Sequence, residues 1–156
     1  MFTDGGNHGL SFGDQIDDAG VDFIQTQCIY DMPRFREWMR RIVDLGLHEK
    51  VHIIAGVMPL KSAGMARYVD SRVAGIRIPA LVMKRIAGAG RGKSARREGI
   101  RMCAETIQEL REIEGVHGVH IMAVEWEEAI EPIVEQAGLL PRPGAQSTLS
   151  DPSLRA

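Results

Sequence analysis

An α/β fold on parallel strands is predicted by three features of the sequence. Strand-like and helix-like stretches alternate along the chain, and the run Val51–Val57 is nearly continuous in apolar character, as a parallel strand buried on both faces requires. Gly and Pro punctuate the junctions between stretches. The 156 residues suffice for one domain with a core, and 44% hydrophobic with 26% charged residues is an ordinary globular balance, which excludes disordered, collagenous and disulfide-scaffold classes.

The elements follow in order. Residues 1–17 are rich in Gly and Asp and read as an irregular lead-in. Val21–Cys28, preceded by Gly20, is short and β-branched, a strand. Asp31 then offers an N-cap and Pro33 an early helical proline; Phe35, Trp38, Met39, Ile42 and Val43 recur at helical spacing until Gly46. After the strand Val51–Val57 and the pair Met58 and Pro59, a helix carries Met65, Ala66, Val69 and Val73 on one side and breaks at Gly75 and Pro79. A short helix over 80–88, a glycine-rich loop over 89–94 and a long helix striped by Ile100, Cys103, Ala104, Ile107 and Leu110 come next. Val116–Val124 is the third strand, and Trp126, Ile130, Ile133, Val134 and Ala137 stripe the last helix. From Leu139 periodicity stops, so 139–156 reads as a flexible tail. Three parallel strands leave two unpaired outer edges, so residues 18–138 are expected to be a piece of a larger barrel or doubly wound sheet.

Charge and composition narrow the function. A net charge of −2 and a pI near 6.2 give no electrostatic footprint for nucleic acid. No apolar run approaches the roughly 20 residues of a membrane helix, and Met1–Phe12 has neither a basic start nor an apolar segment, so a cytoplasmic protein with no membrane partner is expected. Cys28 and Cys103 are far apart and form no Cys-x-x-Cys pair; both are expected to be small buried hydrophobes.

Several strings carry a family signal. Gly20–Gln27 (GVDFIQTQ), Arg34–Arg36 (RFR), Ala55–Leu60 (AGVMPL), Gly75–Pro79 (GIRIP) and Gly118–Met122 (GVHIM) are each weak, but they occur together in this order over residues 18–138. In combination they resemble the methylenetetrahydrofolate reductase family. The resemblance implies a partial (β/α)8 TIM barrel, the last three βα units, with the first five strands missing. It implies flavin-dependent reduction of 5,10-methylenetetrahydrofolate to 5-methyltetrahydrofolate in one-carbon metabolism and methionine biosynthesis, with FAD as cofactor and a folate as substrate. Barrel enzymes place chemistry at the C-terminal ends of the strands, here Gln27, Met58 with Pro59, and Glu125 with Trp126, the expected substrate-binding residues. Gln27 matches the glutamine that bonds the pterin in the family, and a primary amide offers the donor and acceptor that a pterin edge needs; the plain alternative is that Gln27 caps a strand end.

The departures matter equally. The family's flavin contacts include an Asp, an Asn and a basic pair before the first strand present here, and the stretch Asn7–Asp17 keeps no such pattern. The early catalytic glutamate belongs to the missing segment, so no catalytic residue is assigned and this chain alone is expected to be inactive. Where some relatives carry Leu-Asn-Arg, this chain has Val124, Glu125 and Trp126, and Trp126 reads as a core or wall residue. Trp126–Glu128 resembles an anaerobe and archaeal branch in which a small cysteine-rich zinc subunit accompanies the reductase. The implied partners are therefore that subunit, the missing barrel half, or a second copy of the chain. A competing reading is a non-catalytic subunit or remnant that docks through its open strand edges.

Other signals have plainer accounts. Ala87–Ser94 (AGAGRGKS) lacks the first glycine of a phosphate-binding loop and the strand that should precede it, which weakens a third reading as an independent phosphate-binding domain. Lys84, Arg85, Arg91, Lys93, Arg96, Arg97 and Arg101 form the strongest basic cluster, expected to be a solvated helix face, with the acidic tail of a folate polyglutamate as the rival partner. His52, His117 and His120 fit no metal-ligand spacing, so no metal is expected, and His120 reads as a hydrogen-bonded core residue. Glu125, Glu127 and Glu128 suit the N-terminus of a helix better than acid/base chemistry.

Overall fold

The computed structural model describes residues 20–141; the expected lead-in over 1–17 and most of the tail lie outside them. Three strands, β1 (Phe23–Cys28), β2 (His52–Val57) and β3 (Val116–Ile121), form one parallel sheet in the order β1-β2-β3. Five helices accompany them: α1 (Met32–Asp44), α2 (Ala63–Arg72), α3 (Ala80–Gly88), α4 (Lys93–Arg111) and α5 (Ile130–Gln136). The parallel α/β expectation holds, with β2 central and buried as its apolar run requires.

Local chemistry sets the boundaries. The Asp31 side chain accepts from the Arg34 amide at the start of α1, with Pro33 in its first turn. Past its end Gly46 takes φ 68°, a left-handed turn that a side chain would strain. Ser62 caps α2 by accepting from the Met65 amide. The break after α2 is held by the Asp70 carboxylate, which accepts from the Ile78 amide at 2.8 Å.

Two apolar clusters divide the packing. Ile53, Ala55 and Val57 of β2 meet Phe35, Met39 and Ile42 of α1, Ile107 and Leu110 of α4, and Ile133 of α5. Cys28, Met58 and Leu60, at the C-terminal ends of β1 and β2, meet Ala66 and Val69 of α2 and Ile86 of α3. The opposite face of the sheet stays uncovered: Phe23, Gln25, Gln27, His52 and His120 are all exposed there. This overturns the reading of His120 as a core residue. It pairs with Gly56, while the helix-facing residues of β2 are its neighbours Ala55 and Val57.

Four further expectations change. The third strand ends at Ile121 rather than Val124, because the Met122 amide bonds the Val57 carbonyl and β2 offers no ladder partner beyond that point. The first strand begins at Phe23 rather than Val21. The last helical stretch opens as a 3-10 turn over Glu127–Ala129 before α5, which leaves Ile130 exposed while Trp126, Ala129, Ile133 and Ala137 are buried. Leu139, placed in the tail by sequence, is half-buried against the core and its amide bonds Val134.

Gly99 lets α4 press onto the turn that follows β2. A Cβ there would overlap the Leu60 carbonyl, a backbone group that cannot swing aside. Gly99→Ala is therefore expected to destabilise the fold by about 3 kcal/mol or more, against a few tenths for Gly88→Ala in open space, read from urea unfolding midpoints.

Cys28 and Cys103 are free and buried, as expected. Burial pushes the Cys28 thiol up to about 11 and the Cys103 thiol up to about 12. The same desolvation raises the Tyr30 hydroxyl, which donates to the Met58 carbonyl at 3.0 Å. The folded state keeps protons that unfolded thiols release above about pH 8.5, so stability is full below that pH and falls as pH rises through 11 and 12. Unfolding midpoints should be level from pH 7 to 8.5 and decline above pH 9, and both thiols should resist a thiol reagent at pH 8 until urea is added. A native-state reaction as fast as that of the unfolded chain would contradict the burial.

Candidate functional site

Parallel pairing puts the C-terminal ends of all three strands at one end of the sheet, and a cleft of about 490 Å³ opens there. Gln27 enters from β1, Met58 from the end of β2, and Met122, Val124 and Glu125 from the segment after β3. Lys61 and Ser62 line it from the β2–α2 turn, and Met65, Tyr68 and Val69 from α2. The wall is largely apolar, with a few convergent polar groups, the usual composition of a small-molecule site.

The polar groups differ in how they are engaged. The Gln27 side chain is exposed beside Gly75, whose φ of 81° turns the chain after α2; a Cβ at Gly75 would lie 3.7 Å from Gln27 Cγ. Among the described residues its amide makes no hydrogen bond, so it caps nothing and keeps a donor and an acceptor for a ligand. Lys61 Nζ donates to the Glu125 carbonyl at 2.6 Å. Glu125 holds φ 50°, a left-handed conformation that costs a residue with a side chain about 1 kcal/mol or more and is found at ligand clamps. Cys28 contributes a protonated thiol to the wall, within 3.9 Å of the Met122 sulfur.

Of the five substrate-binding residues expected from sequence, Gln27, Met58 and Glu125 meet in this cleft. Pro59 and Trp126 do not line it: both are buried, and Trp126 packs in the helix-facing cluster, 3% exposed. Lys61 and Tyr68 were not singled out by sequence, although a cation directly after AGVMPL, in a turn at the C-terminal end of a strand, is a readable signal.

A second, smaller crevice of about 220 Å³ lies between α1, α3 and α4, lined by Tyr30, Met102 and Thr106 among others. Beside it the basic cluster is partly neutralised. Arg85 bonds Glu98 at 2.6 Å and Glu105, and Arg101 bonds Glu98 at 2.7 Å. The Arg101 guanidinium, with help from Arg85, holds the Glu98 carboxyl below the usual carboxylate range. The sequence Ala87–Ser94 runs from the last two residues of α3 into the first two of α4, which shortens the expected loop over 89–94, and no strand precedes it, so the geometry of a phosphate-binding loop is missing.

Among the described residues no group of three or more His, Cys, Asp or Glu side chains could hold a metal. His117 Nδ1 accepts from the Ile53 amide at 3.2 Å, and its ring meets the His52 ring edge-on. No helix among the described residues is long and apolar enough to cross a membrane. For a flavin dinucleotide the cleft lining offers the Lys61 ammonium, the hydroxyls of Ser62 and Tyr68 and the Gln27 amide, with no guanidinium and no glycine-rich loop to cradle a pyrophosphate, so these residues by themselves do not fit that cofactor.

Comparison with known proteins agrees with the geometry. The chain is 27% identical over 124 residues to methylenetetrahydrofolate reductase 1 of Schizosaccharomyces pombe, and 28% identical over 129 residues to methylenetetrahydrofolate reductase 2 of the same organism. Each match covers 79% of this chain and 20% of the relative, so the chain spans about a fifth of the length of these curated relatives. The profile of the methylenetetrahydrofolate reductase family matches residues 11–138. With that match over most of its length, and with three strand ends meeting at one cleft, the chain belongs to the methylenetetrahydrofolate reductase family.

Proposed function

We propose that this chain supplies the folate-facing wall of a flavin-dependent reductase that converts 5,10-methylenetetrahydrofolate to 5-methyltetrahydrofolate. The observation that carries the reading is the unengaged Gln27 amide at a strand C-terminus, in one cleft with Met58 and Glu125. A pterin edge presents alternating donors and acceptors, and a primary amide can pair with both at once. Met58, Met65 and Met122 offer polarisable apolar contact to its ring.

The three strands are read as the last three βα units of a (β/α)8 barrel. Helices against one face of a parallel sheet, with the other face uncovered, is the arrangement of a barrel wall whose open face becomes the interior. The outer edges of β1 and β3 then pair with further βα units, in the same assembly, in a second copy or in a partner such as a cysteine-rich zinc subunit. FAD, the family's hydride donor, is held outside the cleft described above, and the enzyme works in the cytoplasm. The rival reading, a non-catalytic subunit docking by its edges, is supported by those same unpaired edges and lacks a use for the free Gln27 amide.

In the enzyme purified from its native cell through a tag on this chain, Gln27→Ala should slow reduction of the folate while leaving flavin reduction nearly intact, a loss of about 1–3 kcal/mol in kcat/KM for folate. Equal losses in both half-reactions would reduce Gln27 to a structural role. The isolated chain should self-associate, because unpaired strand edges recruit partners, and co-expression with a fragment supplying the other five strands should suppress that. Sedimentation velocity decides: a monodisperse monomer at micromolar concentration would show that the edges need no partner.

A further inference from the structure

The cleft holds one feature that pterin recognition leaves unexplained. Lys61 brings an ammonium to its rim, and among the described residues no carboxylate pairs with it. Its one described contact is the Glu125 carbonyl, at 2.6 Å across the mouth. An ammonium has three donors, so two remain for a ligand. The residue it holds, Glu125, is the non-glycine residue with positive φ among those described, and its carbonyl faces the lysine in that conformation. A strained turn clamped to a lysine fixes the position of the charge instead of leaving it to wander on a four-carbon stem.

We propose that Lys61 is a specificity-determining residue of the cleft, which takes the carboxylate end of a ligand whose other end is read by Gln27. The proposal rests on the folate reading above and extends it, since it assigns the anionic part of the substrate to a named group. Tyr68, two-thirds exposed on α2 and lining the same cleft, offers an aromatic face between the two polar ends. Glu125 also lines the cleft and forms no ion pair among the described residues; its carboxylate would oppose a ligand carboxylate placed beside it, so discrimination depends on the ligand meeting Lys61 and not Glu125.

The test compares three probes by calorimetric titration of the enzyme purified from its native cell through a tag on this chain: 5-methyltetrahydrofolate, which has both ends, 6-methylpterin, which has no carboxylate, and p-aminobenzoylglutamate, which has no pterin. Lys61→Met should weaken 5-methyltetrahydrofolate and p-aminobenzoylglutamate about tenfold and leave 6-methylpterin unchanged, while Lys61→Arg stays within about threefold of the parent. Raising the salt from 50 to 500 mM on the unmodified enzyme should weaken the two anionic probes and spare the pterin, a readout that needs no variant to fold. The proposal is overturned if Lys61→Met binds all three as the parent does, if it loses the pterin equally, which would make Lys61 only a brace for the Glu125 turn, or if salt changes none of them. If the parent binds neither 5-methyltetrahydrofolate nor 6-methylpterin, the folate reading itself fails and this proposal with it. Binding of the pterin with no gain from the carboxylates would defeat the proposal alone.

Discussion

Parallel pairing on both sides of β2 is the constraint from which the rest of the molecule follows. Parallel strands must each be returned to the same starting end by a crossover, so helices accumulate between them and all the C-terminal ends emerge together. β2 is held from both sides, and Ile53, Ala55 and Val57 are buried almost completely against α1, α4 and α5. Gln27, the Met58–Lys61 segment and the Met122–Glu125 segment then meet at the rim, although nearly 100 residues separate the first from the last.

The rim is built by close backbone approaches as much as by side chains. A Cβ on Gly56 would crowd the Thr26 and Gln27 carbonyls and the Met122 methyl, so glycine there allows β1 to shift its register and release Gln27 toward the cleft. The Thr26 hydroxyl takes over a ladder role at the same point, accepting from the Gly56 amide at 2.9 Å. Gly99 acts from the other side by seating α4 against Leu60, which fixes the turn carrying Lys61 and Ser62. The cleft is therefore supported by the helix layer, and changes in α4 that never touch a ligand should be felt at Lys61.

Charge is arranged in two ways around this frame. On α3 and α4 the carboxylates of Glu98 and Glu105 are committed to Arg85 and Arg101, ties between exposed groups that add little stability individually and fix how the two helices meet. At the cleft, by contrast, the Gln27 amide and the two spare donors of Lys61 are uncommitted among the described residues. In these two places the committed groups tie helices together and the uncommitted ones lie where water or a ligand can reach them, so leaving them unpaired costs little.

Periodicity and capping chemistry made much of this legible without coordinates. The apolar run of β2, the Asp31 and Pro33 start of α1 and the stripe of α4 are all local patterns, and a local pattern is readable because neighbouring residues share one backbone geometry. The ordered strings from Gly20 to Met122 carried the family in the same way, and with it Gln27, Met58 and Glu125. Tertiary structure decided the remainder: that Trp126 turns into the core while Glu125 stays at the rim, that His120 lies on the uncovered face, that β3 stops where β2 stops, and that Lys61 reaches across to the Glu125 carbonyl. Each of these depends on which neighbour a residue meets across a gap of tens of positions. No period or cap encodes that, because the partner is supplied by packing rather than by the adjacent chain.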